Sequence, residues 1–129
     1  MFYLETSAAA KLVLPERGSA ALRRWLAPRA GLIFSSDLLR TELLRLARRA
    51  SPDLVLQARA VLDGIVLTGL ATDTFERAAR LEPAPLRSLD ALHLAAALEI
   101  GPRLDGIVTY DVRLTEASAG LGIPVISPR

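Results

Sequence analysis

One carboxylate stands in a segment that is otherwise apolar on every side. Across residues 89–98, only Asp90 and His93 interrupt the apolar faces of an expected helix. Such a helix is normally buried in the core of its domain, where a carboxylate is costly unless it is paired or binds a metal. Asp90 lies in the first helical turn, after Ser88 as the expected N-cap, where the helix dipole favours negative charge. We therefore take Asp90 as a candidate site residue.

Three further acids occupy positions from which they could reach the same site. Glu5 and Asp111 each stand just beyond an expected strand, and Glu42 lies about one and a half turns into a helix that follows a strand. In open parallel sheets, ligands bind beyond the carboxyl ends of the strands, where the strand order reverses. Four carboxylates that converge there, within ~4–6 Å of one another, would repel each other and require cations.

Each of these acids also has an interpretation without chemistry. Glu5 and Asp111 could cap the helices that follow them, and Glu42 could be a solvated helix charge. His93, one turn beyond Asp90, is either a core histidine with satisfied hydrogen bonds or an outer group of the site. The other acids considered lie near expected helix starts or glycines and are interpreted as helix caps or turn residues: Asp37, Asp53, Asp73, Asp63 and Asp105.

Short apolar stretches that alternate with amphipathic ones predict the elements that position these acids. Strands are expected at residues 2–4, 32–34, 65–67, 106–109 and 124–126. Helices are expected at residues 8–14, 19–26, 37–49, 52–62, 73–81, 89–98 and 112–119, the fifth of them opened by a capping box of Asp73 and Glu76. This alternation favours an α/β fold whose parallel sheet is covered by helices on both faces. With no repeat or linker, residues 1–129 are expected to form one domain.

Composition limits the chemistry that the site can perform. The chain has no cysteine and one histidine, so a metal would have oxygen ligands, which points to Mg²⁺ or Mn²⁺. There is no apolar run of about 18 residues and no signal-peptide pattern, which predicts a soluble, cytoplasmic protein without a membrane partner. Of its 16 basic residues only Lys11 is a lysine. The prevalence of arginine either reflects genomic base composition or suits phosphate binding.

The order and spacing of these residues resemble those of a known family. The blocks F-Y-L-E-T-S-A at residues 2–8, S-D-L-L-R-T-E at 36–42, R-S-L-D-A-L-H at 87–93 and V-T-Y-D at 108–111 resemble PIN-domain toxins of the VapC type. The similarity extends over essentially the whole chain. It implies a five-stranded parallel sheet and a metal-dependent endoribonuclease of a type II toxin–antitoxin system.

The resemblance also implies a set of site residues. The catalytic and metal-binding acids would be Glu5, Glu42, Asp90 and Asp111, with Mg²⁺ as the cofactor and Mn²⁺ as the alternative. Thr6 and Thr109 would be supporting polar groups. One departure from the family matters, because its first acid is usually aspartate, in D-T-S-A, whereas this chain has E-T-S-A. Glu5 keeps the charge but extends the reach of the carboxylate.

The resemblance implies RNA as the substrate and a cognate antitoxin whose tail occupies the acidic groove. Candidate RNA-binding residues follow Glu42 and could equally form a solvated helix end: Arg45, Arg48 and Arg49. A homodimer or an antitoxin complex is also expected, because Leu12, Leu22 and Leu26 look exposed.

Two alternative functions remain open. The chain could be a catalytically weak PIN-domain binding module that titrates an antitoxin, with Glu5 marking a relaxed site. It could also be a small hydrolase of phosphorylated metabolites. That second alternative is disfavoured, because no D-x-D motif follows the first strand and no glycine-rich phosphate loop is present.

Overall fold

Five short parallel strands form the centre of the fold in a computed structural model that describes residues 1–129. The strands are β1 (Phe2–Leu4), β2 (Ile33–Ser36), β3 (Val66–Thr68), β4 (Gly106–Val108) and β5 (Val125–Ile126). Their order in the sheet is β3-β2-β1-β4-β5, and every neighbouring pair is parallel. The predicted five-stranded parallel sheet is therefore confirmed. The strand order reverses between β1 and β4, which defines the switch point of the sheet.

Helices cover both faces of this sheet. They are α1 (Thr6–Ala10), α2 (Ser19–Leu26), α3 (Asp37–Ala50), α4 (Val55–Asp63), α5 (Thr72–Arg80), α6 (Ser88–Leu98) and α7 (Val112–Gly120). Three short 3-10 helices lie at Ala27–Leu32, Pro52–Leu54 and Gly101–Arg103. None of the helices is long and apolar enough to span a bilayer.

Alternate residues of β1 supply the two halves of the core. Leu4 packs with the apolar faces of α1 to α4, whereas Tyr3 packs with residues of α6 and α7. Both side chains are fully buried. Strands that are buried on both faces appear as continuous apolar runs, which is why the sequence pattern revealed them. α5 completes the second layer by packing on α6 through Ala78, Ala91 and Ala95.

The predicted start of the first helix is wrong by two residues. α1 begins at Thr6, with Glu5 between it and the strand, because the side chain of Glu5 accepts a hydrogen bond from the backbone N–H of Ser7. The helix ends at Ala10 and is followed by turns, so the expected continuation to residue 14 is also wrong. Pro15 disfavours helical geometry in the residue that precedes it.

Two predicted N-caps are wrong as well. α6 begins at Ser88 itself, with Arg87 at the N-cap position and no side-chain cap. α5 begins at Thr72, so Asp73 lies inside its first turn and forms no capping box. Nearby acids can satisfy a helix dipole without a specific hydrogen bond, and the sequence pattern does not distinguish the two arrangements.

β2 extends two residues further than its apolar pattern predicted. Ser35 and Ser36 are fully buried strand residues. The Ser35 hydroxyl donates to the Leu4 carbonyl oxygen at 2.7 Å, and the Ser36 hydroxyl lies 2.8 Å from the Tyr3 hydroxyl. Because these hydroxyl groups find partners on β1, they can be buried without the cost of an unmet hydrogen bond.

The expectation that Leu22 is exposed is wrong. Leu22 is fully buried in the core beneath α2. Leu12 and Leu26 are half-buried and line an apolar cavity of about 490 Å³ between α2 and α4. Leu22 and Leu26 lie one turn apart on α2, and only packing determines that Leu22 is the more deeply buried.

Candidate active site

The four predicted acids are carried by four different elements around the switch point of the sheet. Glu5 follows β1, and its backbone N–H donates to the Val108 carbonyl oxygen of β4 at 3.1 Å. Asp111 is the N-cap of α7 just beyond β4, and Asp90 lies in the first turn of α6. Glu42 comes from α3 and is joined to α6 through a contact with His93. The fold therefore gathers these acids around one edge of the sheet.

Glu5 is buried and held through a single carboxylate oxygen. Its Oε2 atom accepts hydrogen bonds from the Ser7 N–H at 3.0 Å, the Ser7 hydroxyl at 2.5 Å and the Thr109 hydroxyl at 2.7 Å. Burial raises the pKa of Glu5 and outweighs these hydrogen bonds and the charge of His93. The glutamate side chain thus bends back to cap α1. Glu5 is therefore a helix cap and also lies where the site was predicted.

Glu42 is also held through one oxygen. His93 Nε2 lies 2.5 Å from Glu42 Oε1, and the Thr6 hydroxyl donates to the same oxygen at 2.9 Å. Burial acts to raise the pKa of Glu42, but the hydrogen bond and charge of His93, together with Thr6, bring it below its ordinary value. Glu42 is therefore held in its ionised form.

Asp111 and Asp90 lie close enough to repel each other. Asp111 Oδ1 accepts a hydrogen bond from the Leu114 N–H at 2.9 Å, which is its capping contact with α7. Burial raises the pKa of Asp90, and the charge of Asp111 raises it further, against smaller opposing effects of His93 and Arg87. Unlike the other three acids, Asp90 has no hydrogen bond that would stabilise its charge.

Three of the carboxylates share one arrangement, in which one oxygen is anchored and the other is open. The anchored oxygens are Glu5 Oε2, Glu42 Oε1 and Asp111 Oδ1. The second oxygens of these acids have no hydrogen-bond partner. They are not fully buried either, because Ser118 Oγ is the sole fully buried side-chain polar atom without a partner, so they reach solvent. No three of the acids already surround a common point at metal-ligand distance. As a donor set, however, open carboxylate oxygens fit a hard divalent cation.

The supporting groups include residues that the sequence did not identify. Thr6 and Thr109, which were predicted to support the site, donate to Glu42 and Glu5. His93 is buried with both ring nitrogens hydrogen-bonded, as expected of a core histidine, and its contact with Glu42 also places it beside the predicted site. Ser7 was not predicted as a site residue, although its place beside Glu5 and Thr6 was a usable signal. Tyr3 was also missed, because it looked like an ordinary strand residue.

Two grooves flank the acids. One, of about 650 Å³, is lined by Thr6, Glu42, Arg45 and Arg49 among others. Arg48 does not line this groove, but it lies with Arg45 and Arg49 in an adjacent cavity of about 370 Å³.

The second groove, of about 720 Å³, contains Asp90 together with Arg87 and Arg113, neither of which was predicted as a site residue. Glu82 and Glu116 also line it, so acids outnumber arginines there. The first groove is lined by two acids, Asp37 and Glu42, and by two arginines, Arg45 and Arg49, so it is the less repulsive path for a polyanion.

The parallel sheet and the acids at its switch point define a class of protein, and comparison with known families agrees. The family model described as PIN domain matches residues 2–119, which include all four acids. The chain belongs to the PIN-domain family. β5 lies beyond the matched range but pairs with β4, so the sheet extends past the match.

Within this family the chain groups with the VapC-type ribonuclease toxins. It is 40% identical to Ribonuclease VapC47 of Mycobacterium tuberculosis (strain CDC 1551 / Oshkosh) over 132 residues, covering 99% of this chain and 97% of that protein. It is 42% identical to Ribonuclease VapC35 over 134 residues, with the same coverage. The crystal structure of Mycobacterium tuberculosis VapC20, described as a Sarcin-Ricin loop cleaving toxin, has a TM-score of 0.78 at 17% identity, covering 99% of this chain and 100% of that one. This last likeness shows the fold.

Replacing Asp90 with asparagine should not destabilise the metal-free protein at neutral pH. Because the pKa of Asp90 is raised, the folded state binds its proton more tightly than the unfolded chain does. The resulting stabilisation is fully present below the ordinary aspartate pKa of about 3.9 and is lost as the pH rises through the raised value. In EDTA at pH 7, Asp90→Asn should therefore match or exceed the melting temperature of the wild type, and any gain should disappear near pH 4, roughly the ordinary pKa.

The matched control is Asp63→Asn, which removes an exposed carboxylate at the end of α4. It should show no gain that depends on pH. A lower melting temperature of Asp90→Asn at pH 7 would contradict the repulsion between Asp90 and its neighbours.

Proposed function

We propose that this protein is a Mg²⁺-dependent endoribonuclease toxin that hydrolyses RNA phosphodiesters and is inhibited by a cognate antitoxin. The main support is the arrangement of the carboxylates at the switch point, where anchored acids each leave one oxygen open. The names of the full-length relatives, which are ribonucleases, support the same reaction. We propose that the PIN domain comprises residues 1–129.

The proposed ligands are Glu5, Glu42, Asp90 and Asp111. An all-oxygen donor set suits Mg²⁺, with Mn²⁺ as the alternative. A divalent cation bound there would polarise a phosphate oxygen, stabilise charge in the transition state and lower the pKa of the attacking water. Thr6 and Thr109 orient Glu42 and Glu5 through hydrogen bonds.

Asp90→Asn should abolish RNA cleavage while the fold survives. Asparagine keeps the shape but removes the charge that a divalent cation requires. Metal assistance provides several kcal/mol, so we expect the rate to fall by at least about a hundredfold. The measurement is cleavage of labelled RNA in Mg²⁺, with Asp63→Asn as the control.

A second readout separates the proposed enzyme from the alternative binding module. Mg²⁺ should raise the melting temperature of the wild type but not of Asp90→Asn, because a ligand stabilises the state that binds it. Cleavage by Asp90→Asn at the wild-type rate would contradict its role. A wild type that binds antitoxin but cleaves no RNA in Mg²⁺ or Mn²⁺ would favour the binding module.

Variants of Glu5 test whether this residue is a ligand as well as a cap. Glu5→Asp restores the acid that is usual in the family and remains a good N-cap, so it should cleave RNA as fast as the wild type or faster. Glu5→Gln can keep a capping oxygen but loses the charge, and it should eliminate cleavage. Rates measured during Mg²⁺ and Mn²⁺ titrations check both variants. If Glu5→Gln cleaves as well as the wild type, Glu5 is a cap alone.

We propose that RNA contacts the groove lined by Arg45 and Arg49 and the adjacent cavity, which Arg48 lines with them. These three guanidinium groups are exposed and engage no acid in an ion pair. Arginine forks suit phosphate geometry, and the groove leads to Glu42. The backbone of a single strand could therefore be held beside the acids.

The double variant Arg45→Gln/Arg49→Gln should weaken RNA binding without changing the rate at saturating RNA. Each lost phosphate contact should reduce the slope of log affinity against log salt by about 0.7 for single-stranded RNA. The control removes two exposed arginines outside this groove, as Arg59→Gln/Arg103→Gln. Equal KM values and salt slopes for both double variants would contradict the proposed path.

We also propose a cognate antitoxin whose tail occupies the acidic groove, and a homodimer as the form of the free toxin. An acidic site attracts basic side chains, so an antitoxin tail that carries them would exclude the cation and RNA together. The open reading frame next to the gene is where such an antitoxin should be sought.

A further inference from the structure

A line of buried polar side chains runs from the core to Glu42. The Ser36 and Tyr3 hydroxyl groups lie 2.8 Å apart, and the Tyr3 hydroxyl lies 2.7 Å from His93 Nδ1. The other ring nitrogen, His93 Nε2, lies 2.5 Å from Glu42 Oε1. Ser36 and Tyr3 are 0% exposed and His93 is 1% exposed. We call Ser36, Tyr3, His93 and Glu42 the relay. Glu42 is its only member that reaches solvent.

The polar groups of the relay lie among apolar side chains, where burying a polar group costs free energy of folding. Tyr3 packs edge-on against Phe34, with ring centroids 5.3 Å apart, in a cluster that includes Leu94 and Ile107. Apolar side chains of similar volume would fill this part of the core without needing hydrogen-bond partners. Stability alone therefore does not account for a tyrosine and a histidine here. The hydrogen bonds that run from Tyr3 through His93 to Glu42 do account for them.

The donors and acceptors of the relay can all be satisfied in one direction. An ionised Glu42 only accepts hydrogen bonds, so His93 Nε2 is the donor to it. When the imidazole is neutral, Nδ1 accepts from the Tyr3 hydroxyl, whose oxygen in turn accepts from the Ser36 hydroxyl, so the Tyr3 contact selects the tautomer of His93 that donates to Glu42. When the imidazole is protonated, Nδ1 donates to the Tyr3 oxygen instead, and Nε2 still donates to Glu42.

The relay also determines which oxygen of Glu42 is available. His93 and Thr6 both bind Oε1, and Oε2 has no hydrogen bond. A free glutamate side chain loses rotamer freedom when it is fixed. The two donors impose that restriction in the folded protein, before any cation arrives. Glu42 lines the groove together with Thr6 and Arg45, and its Oε2 atom is the oxygen left without a hydrogen bond.

We propose that Tyr3 and His93 are positioning residues that fix Glu42 through Oε1 and present Oε2 to the divalent cation. The inference rests on the proposed function, because it assigns Glu42 as a metal ligand. Outer partners of metal ligands typically account for 10–100-fold in metal affinity or activity. Neither residue touches the reacting atoms, so their effect is exerted through Glu42.

The first test is the affinity of purified Tyr3→Phe protein for Mn²⁺, measured by electron paramagnetic resonance. Phenylalanine keeps the ring in its packing position but removes the hydroxyl that holds His93. We expect Mn²⁺ affinity to fall about tenfold, and cleavage to fall at limiting Mn²⁺ but recover substantially at saturating Mn²⁺. A structural role alone would lower the melting temperature without changing Mn²⁺ affinity.

Tyr110→Phe is the matched control. It removes a tyrosine hydroxyl that donates to the Pro128 carbonyl oxygen at 2.6 Å, outside the relay. It should retain the Mn²⁺ affinity of the wild type even if its melting temperature falls as far as that of Tyr3→Phe. Wild-type Mn²⁺ affinity in folded Tyr3→Phe would overturn the inference.

Substitutions of His93 provide an independent test if Tyr3→Phe does not fold. His93→Gln keeps an N–H donor that can reach Glu42, whereas His93→Leu does not. Mn²⁺ affinity should follow the order wild type, His93→Gln, His93→Leu, and equal affinities would overturn the inference. A wild type that binds no Mn²⁺ and cleaves no RNA would instead overturn the proposed function, and the inference with it. If the wild type cleaves RNA and binds Mn²⁺ but the variants bind Mn²⁺ equally well, the inference fails and the proposed function stands.

Discussion

Mutual repulsion of carboxylates around the switch point of the sheet is the constraint to which the rest of the site responds. Burial and the charge of Asp111 raise the pKa of Asp90, and burial raises that of Glu5. Hydrogen bonds from the protein counter this cost at Glu5, Glu42 and Asp111, but each uses one oxygen and leaves the other open. The metal-free site therefore retains an excess of negative charge, for which a divalent cation is the natural counterion.

The polar groups that hold these acids are distributed over several elements. Thr109 follows β4 and anchors Glu5, whereas Thr6 begins α1 and anchors Glu42. His93 spans α6 and α3, and its ring is in turn held by a strand residue, Tyr3. Because packing of the sheet and helices determines every one of these positions, the acids cannot rearrange independently of the core. The rigid packing of the fold therefore fixes the positions of these acids.

The surroundings of the acids combine attraction and repulsion for a polyanion. Arg45 and Arg49 line the groove that leads to Glu42, while Arg87 and Arg113 share the other groove with Asp90 and two further acids. RNA approaching such a surface would be attracted at the rim and repelled at the centre until the carboxylates are neutralised. If the proposed sites are correct, binding of the cation and binding of RNA should therefore reinforce each other.

The sequence by itself determined the alternation of strands and helices and the order of the four acids. Continuous apolar strands and one apolar helix interrupted by Asp90 are local patterns, and the family resemblance added the five-stranded sheet. Only the tertiary structure decided that Leu22 is buried, that Glu5 caps α1, and which oxygen of each acid stays open. The contact of Tyr3 with His93 joins residues 90 positions apart. Such a hydrogen bond leaves no trace in local periodicity, because it depends on packing between elements.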